Sequence, residues 1–245
     1  MNIKRTGLLL LTVAVFATTA VAQLKPSDQA TIDLYKQALK SAENGSGTVE
    51  DAYDLSKSVE HLLTDYEEGT GYLLESVSDE EFSRLSKELE GMLINREEII
   101  FARPDVDFWS SLARKNGDSA DKAFFSALKK TYPNSVWPVY NEQQTDVTGC
   151  TRFGSLSLVK TYGIWKHFRA AFHNRYKSFV EAESEAVTEE IATSTCACGK
   201  LAGARKEITE FLRLYPKSPV TKRLKERLRK LKTGKSEIRE SCLSG

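Results

Sequence analysis

The chain has 245 residues, of which 40% are hydrophobic and 28% charged, so it is long and apolar enough to bury a sizeable core. Its 35 basic residues nearly balance its 34 acidic ones, and a net charge of +1 excludes a partner chosen by bulk charge alone. The charges are unevenly distributed: residues 43–98 hold 16 acidic and 4 basic side chains, whereas residues 200–235 hold 13 basic and 3 acidic ones.

Residues 1–22 have the pattern of a cleaved signal peptide. Two basic residues precede an uncharged apolar run from Gly7 to Val21, and the segment ends in Ala-Val-Ala, small residues that a signal peptidase recognises. The run is about fifteen residues, shorter than the roughly 20 that span a bilayer, which favours cleavage before Gln23 over a retained membrane anchor. No cysteine stands at this point for lipid attachment. We therefore expect a periplasmic or secreted chain, residues 23–245, with no transmembrane segment.

The first predicted helices follow from apolar residues at steps of three and four. Ser27, Thr48 and Ser78 are the predicted N-caps of the first three helices. The third is expected to carry an apolar face from Phe82 to Ile100 and to end at Pro104. Two shorter helices follow before residue 133. No alternation of apolar and polar residues over five or more positions favours a strand.

The longest apolar stretch of the mature chain, Thr151–Phe179, predicts an α-helix with six aromatic residues on one face and leaves open a break at His173-Asn174. These residues are Tyr162, Trp165, Phe168, Phe172, Tyr176 and Phe179. One interpretation is a core face; the other is a groove for a glycan or peptide. Residues 134–149 form an irregular segment longer than about 12 residues, which is typical of functional loops. The candidate ligand-binding residues are Trp137, Tyr140, Asp146, Arg152, Trp165 and His167.

Four cysteines lie in the C-terminal half: Cys150, Cys196, Cys198 and Cys242. An even number in an exported chain predicts two disulfides. A bridge between Cys196 and Cys198 would close a very small ring, so we expect each of them to pair with Cys150 or Cys242, in either arrangement. The alternative is that Cys196-Ala-Cys198 is a redox-active or metal-binding pair. Thiol–disulfide enzymes more often place two residues between the cysteines, and zinc sites need four ligands.

Two helices are predicted on either side of Tyr215-Pro216-x-Ser218-Pro219, with Pro219 in the first turn of the second helix. Residues 204–231 therefore resemble the helix-turn-helix unit of tetratricopeptide-like proteins of the bacterial envelope. Tyr132-Pro133-Asn134-Ser135 carries part of the same motif 83 residues earlier, which is not a multiple of the repeat of about 34 residues. The resemblance implies a helical scaffold for protein partners.

The second of these helices, residues 219–232, has leucines on one edge and basic side chains on the other. It is either a surface helix whose positive charge balances that of the acidic N-terminal half within the molecule, or a surface that attracts anionic lipid or lipopolysaccharide.

No catalytic or metal-binding motif accompanies these features: Gly-x-Ser-x-Gly, His-Glu-x-x-His and glycine-rich phosphate loops do not occur. His167 and His173 are six residues apart, about 120° around a helix, so they do not share a metal ion. His61 and Asp65 are close enough to do so, but two ligands do not make a site. We expect no catalytic residue, no metal and no cofactor.

These patterns predict an all-α fold of about eight helices in a repeat-like array, with two disulfides tying the C-terminal half. One domain is expected, with an acidic part at 23–131 and an aromatic, cysteine-containing part at 132–245; a small sheet near Trp137–Cys150 would make the fold mixed.

The predicted function is an exported, non-catalytic binding or scaffold protein of the bacterial cell envelope, with a protein partner and no nucleic acid. One alternative is a periplasmic enzyme that acts on a cell-wall glycan or peptide through residues 137–152. The other is a thiol-redox protein that uses Cys196 and Cys198.

Overall fold

The computed structural model describes residues 24–67, 71–97, 99–134, 136–144, 148–240 and 242. These residues form ten helices and eight short strands. The helices are α1 (Pro26–Glu43), α2 (Val49–Thr64), α3 (Leu73–Ser76), α4 (Asp79–Glu88), α5 (Val106–Asn116), α6 (Ser119–Thr131), α7 (Ser157–Ala171), α8 (Lys177–Thr193), α9 (Leu201–Leu214) and α10 (Thr221–Lys232). The strands are β1 (Tyr66–Glu67), β2 (Gly71–Tyr72), β3 (Met92–Asn95), β4 (Phe101–Pro104), β5 (Asn141–Gln143), β6 (Gly149–Thr151), β7 (Cys196–Ala197) and β8 (Arg239–Glu240). The predicted signal peptide lies outside the described residues, and no described helix has the length and apolarity needed to cross a membrane.

Because these strands are present, the fold is mainly helical but not purely α. The prediction of an all-α fold with about eight helices is therefore right about the dominance of helices and wrong about the absence of strands. β1 pairs with β2 and β3 with β4, both antiparallel. The remaining strands form one small sheet in the order β5-β6-β7-β8, in which only the β5–β6 pair is antiparallel. Strands β5 and β6 of this sheet lie near Trp137–Cys150, where a small sheet is the alternative to the predicted all-α fold.

The β3–β4 hairpin replaces the second half of the long helix predicted up to Pro104. Helix α4 ends at Glu88, and the chain turns at Gly91, which has φ +79°. A side chain at that position would also come within 2.6 Å of the Phe108 ring, so glycine is required there. The following residues include Ile94 and Phe101, types that favour strands, and the two segments pair from Met92 to Asn95.

The predicted aromatic helix is divided between α7 and α8, so its six rings do not share one helical face. The break is fixed by contacts with other helices. The Arg175 guanidinium forms ion pairs with Glu50, Asp118 and Asp121, and the Tyr176 amide donates to the Glu50 carboxylate. These contacts hold Tyr176 at φ 51°, a left-handed conformation that ends helical continuity.

Two hydrophobic clusters share α7 and α8. The larger one lies mainly under α1, α2, α5 and α6, and its largest buried side chains include Trp109, Phe124, Trp165 and Tyr176. The Phe124 and Tyr176 rings stack at a centroid distance of 3.8 Å. The smaller cluster joins Tyr140 to α9 and α10 through residues such as Ile191, Ile208, Phe211 and Leu224. The predicted helix-turn-helix at residues 204–231 is present as α9 and α10, which pack against each other.

The disulfides connect neighbouring strands of the four-stranded sheet. Cys150 is bonded to Cys198 and Cys196 to Cys242. This is one of the two arrangements expected from the sequence, and it confirms the prediction of two disulfides in the C-terminal half. Cys196 and Cys198 are not bonded to each other, and none of the four cysteines is a free thiol.

Candidate functional site

The aromatic residues predicted to stack on a ligand do not form a common exposed surface. Trp165 is fully buried in the larger cluster, and Tyr140 is buried in the smaller one. Trp137 is 36% exposed, and its indole Nε1 donates to Gln143 Oε1 at 3.0 Å. Two of the three rings are therefore occupied in packing two different cores.

The other predicted site residues are also dispersed. Arg152 is exposed and pairs with Glu142 across the β5–β6 strands, with 3.2 Å between Nε and Oε2. His167 is exposed on α7, where it lines a groove against α6. Asp146 lies outside the described residues. The structure places only His167 at a large cavity.

The groove between α6 and α7 has a volume of about 670 Å³. Both helices present residues at steps of three and four toward it, so each contributes one continuous stripe. The small alanine side chains of α6 and α7 leave the space open, and Ile164, Phe168 and Phe172 form its apolar surface. The groove is lined by Ala123, Ser126, Ala127 and Lys130 from α6, and by Lys160, Gly163, Ile164, His167, Phe168, Ala171 and Phe172 from α7 and its C-cap.

The charges along this groove have one sign. Lys130, Lys160 and His167 are exposed, and no aspartate or glutamate lines the groove. Neither lysine forms an ion pair with a described residue. The groove therefore offers an apolar surface with unpaired positive charge at its walls. The alanines at positions 123, 127 and 171 are the signal for this groove in the sequence, and the prediction from the aromatic residues passed over them.

A second, polar cavity of about 160 Å³ lies where α2, β4, the end of α6 and α8 meet. The Tyr132 hydroxyl donates to both carboxylate oxygens of Glu183 at 3.1 Å. Removal from water raises the pKa of Glu183 from its usual value of 4.5 to about 7. The cavity is lined by Tyr53, Lys57, Glu60, Arg103, Pro104, Val106, Leu128, Tyr132 and Glu183.

The charged groups around Glu183 act in both directions on its pKa. The Tyr132 hydrogen bond and the positive charges of Lys57 and Arg103 lower it, whereas the negative charge of Glu60 raises it. Burial outweighs these contributions. The same environment raises the pKa of Tyr132, because a phenolate beside Glu183 in a cavity shielded from water is unfavourable.

Helix α10 is attached to the molecule by its apolar edge and two arginines. Leu224 and Leu231 are buried, and Arg223 forms two hydrogen bonds to Glu189 of α8 at 2.8 and 3.0 Å. Arg227 donates to the carbonyls of Ala192 and Ser194 at the end of α8. In the described part of the chain, no ion pair joins this helix to the acidic residues 43–98. The positive charge of α10 is therefore not neutralised by ion pairs with that acidic segment.

No group of three or more His, Cys, Asp or Glu side chains within the described ranges is placed to hold a metal ion. In comparisons with known proteins, no protein-family model, no curated protein and no solved structure matches the chain.

Proposed function

We propose that the chain is an exported, non-catalytic binding or scaffold protein of the cell envelope, and that the α6–α7 groove takes a helical segment of a protein partner. The two closed disulfides support export, because such bonds persist in oxidising compartments. The signal-peptide pattern of residues 1–22 supports the same compartment.

The observation that carries the proposal is the form of the groove. The two packed helices line the groove with residues at steps of three and four, and small side chains let a third helix approach closely. A partner helix with apolar residues on one face would cover Ile164, Phe168 and Phe172.

The charges of the groove select the kind of helix. The ammonium groups of Lys130 and Lys160 stand along its walls, and no carboxylate lines the groove. An amphipathic helix with aspartates or glutamates beside its apolar face complements this arrangement. The proposal is thus specific to an acidic amphipathic helix of another protein.

The experiment is photo-crosslinking in cells from a benzophenone amino acid at position 126, which lines the groove. The matched control carries the same group at position 170, which is exposed on α7 but does not line the groove. We expect one discrete adduct from position 126 only, with the crosslinked peptide in an acidic amphipathic helix of the partner. The double change Lys130→Glu and Lys160→Glu should reduce the adduct about tenfold, because two attractions become repulsions.

The double change Lys222→Glu and Lys225→Glu on α10 is the matched charge control, and it should leave the adduct unchanged. Equal labelling from positions 126 and 170, or an adduct to a second copy of this chain, would contradict the proposed occupant. So would an adduct that survives charge reversal in the groove.

A second candidate function is attraction to anionic lipid or lipopolysaccharide through α10. Lys222, Lys225, Arg229 and Lys232 are exposed, and only Arg229 among them pairs with a described carboxylate. Because the leucine edge is already buried, the attraction would be electrostatic, about 1 kcal/mol for each basic residue near the surface. Co-sedimentation with anionic vesicles at low salt, lost in the Lys222→Glu and Lys225→Glu protein, would support this candidate.

A further inference from the structure

We propose that the polar cavity between α2, β4, α6 and α8 binds a small zwitterion, with its ammonium group on Glu183 and its carboxylate on Arg103 and Tyr53. This ligand site is separate from the α6–α7 groove, and the proposal does not depend on a protein partner. Three features of the cavity carry it: an unpartnered hydroxyl, two unpaired opposite charges, and a small volume.

The unpartnered hydroxyl belongs to Tyr53 on α2. The residue is only 4% exposed, and its ring is held in the core by Trp109, Phe124 and Phe125. Its hydroxyl has no hydrogen-bond partner among the described residues. The acidic groups that act on its pKa are Glu183 and Glu60, both of which line the cavity, so the hydroxyl faces that space. A hydroxyl that lines a cavity and has no partner in the protein is free to hydrogen-bond to a water or a ligand there.

The two unpaired charges are those of Glu183 and Arg103. Lys57 and Glu60 neutralise each other at 2.5 Å. Glu183 accepts from the Tyr132 hydroxyl alone, and Arg103 donates to the backbone carbonyl of Val136. Neither forms an ion pair with a described residue, although both line the same cavity.

A ligand with one positive and one negative end satisfies all three groups at once. Its ammonium would pair with the Glu183 carboxylate, and its carboxylate would accept from the Arg103 guanidinium and the Tyr53 hydroxyl. A volume of about 160 Å³ limits the ligand to a few heavy atoms, the size of a small amino acid. A singly charged ligand would leave either Glu183 or Arg103 without an oppositely charged partner, and a neutral ligand would leave both without one.

The test is titration of the purified, disulfide-bonded chain with glycine, alanine, β-alanine and γ-aminobutyrate, followed by amide NMR shifts. These probes differ in the distance between their two charges. We expect saturable shifts for residues around the cavity with at least one probe, at the roughly millimolar Kd that so small a ligand reaches. Ethylammonium and propionate, each with a single charge, and the neutral glycerol should bind at least about tenfold more weakly.

Tyr53→Phe is the decisive variant, because it removes a hydroxyl that makes no hydrogen bond to the described chain and so should not impair folding. It should weaken binding about tenfold, as expected for loss of a hydrogen bond to a charged group. Tyr66→Phe, which changes a tyrosine that is 67% exposed and does not line the cavity, is the matched control and should bind like the parent.

Binding should also be tighter at pH 8 than at pH 6. The pKa of Glu183 is about 7, and only its ionised form pairs with an ammonium group. The groups that face it are Lys57, Glu60 and Tyr53 from α2, Arg103 from β4, and Tyr132 from the end of α6. The proposal is overturned if no probe saturates up to about 20 mM, which is well above the Kd expected for such a ligand. Equal binding of ethylammonium, propionate or glycerol, or an unchanged Kd in Tyr53→Phe, would overturn it too.

Discussion

A single half-buried carboxylate gives this chain a titration near neutral pH. Glu183 is held by the Tyr132 hydroxyl, and its pKa is raised to about 7 chiefly because water is excluded from its surroundings. Between pH 4.5 and 7 the unfolded chain releases this proton while the folded chain retains it. Stability is therefore highest when both states are protonated, and it falls as the pH rises toward 7.

The stability of the Glu183→Gln protein relative to the parent should increase with pH. Between pH 4.5 and pH 8 the difference in their free energies of unfolding should change by roughly 2–3 kcal/mol in favour of the variant. Glutamine keeps an acceptor for Tyr132 but carries no charge. Urea unfolding of both proteins across this pH range measures the difference, and subtraction removes the titration of all other groups. A difference that does not grow with pH would show that Glu183 is solvated like an ordinary surface carboxylate.

Sequence patterns alone do not single out Glu183. It is one of five glutamates between Glu181 and Glu190, and all belong to a helix that alternates acidic and apolar residues. Only the fold distinguishes them, because it places Tyr132 and Arg103, which are 51 and 80 positions away along the chain, beside this one carboxylate. The pKa of a residue depends on such distant neighbours more than on its own segment.

At the scale of elements, α9 positions the start of α7 through a buried carboxylate. Glu207 is fully buried and accepts from the backbone amides of Gly154, Leu156 and Val159 at 3.0, 2.7 and 3.2 Å. These amides lie at the N-terminus of α7, where helices leave their donors unpaired and favour negative charge. Gly154 and Gly203 let the two segments approach, since a Cβ at Gly154 would come within 2.7 Å of Gly203.

Glu207→Ala should lower the free energy of unfolding by about 3 kcal/mol, because one buried and two part-buried amides lose their acceptor. Glu210→Gln is the matched control on the same helix. Its carboxylate pairs with Arg213, three residues on, at the surface, so the free energy of unfolding should be nearly unchanged. Denaturant unfolding compares the two. Equal losses would mean that Glu207 contributes no more than a surface charge.

Helix positions could be predicted from local signals where the signal is self-contained. Thr48 and Ser78 are N-caps as predicted, and their hydroxyls accept from the amides of Asp51 and Glu81. The prediction for Ser27 was wrong, since α1 begins at Pro26 with Lys25 as its N-cap. The sequence does not predict the β3–β4 hairpin, and it only leaves open the break between α7 and α8 at His173-Asn174, because both depend on contacts from α5, α2 and α6.

The whole molecule carries its acidic and its basic residues in different parts of the chain. The acidic residues 43–98 and the basic α10 do not pair with each other within the described chain. The ion pairs of α10 are made instead to Glu189, Glu226 and Glu237. The sequence could predict the polarity because it is a matter of composition. It could not predict which residues pair, since Arg223 meets Glu189 only through the packing of α10 on α8.

The disulfides determine how the C-terminal half holds together. They join residues 48 and 46 positions apart, across the strands β6, β7 and β8, which are too short to be stable alone. In the chain-entropy model each loop of this length stabilises the folded state by about 4 kcal/mol. The Cys196–Cys242 loop contains α9 and α10, whereas the Cys150–Cys198 loop contains α7 and α8, which both hydrophobic clusters share. Removing the Cys196–Cys242 bond should therefore loosen α9 and α10 more than α1 and α2, which lie outside both loops.

Intact-mass analysis of the exported protein, with and without native alkylation, tests this arrangement and the compartment together. We expect a mass that begins at Gln23, no alkyl group before reduction, and four after reduction and unfolding, since all four cysteines are bonded. Native alkylation of two cysteines would instead reveal a reactive thiol pair and favour the thiol-redox alternative. A mass that retains residues 1–22 would contradict cleavage and favour a membrane anchor. Because each result changes a different part of the proposal, one measurement separates export, bonding and redox function.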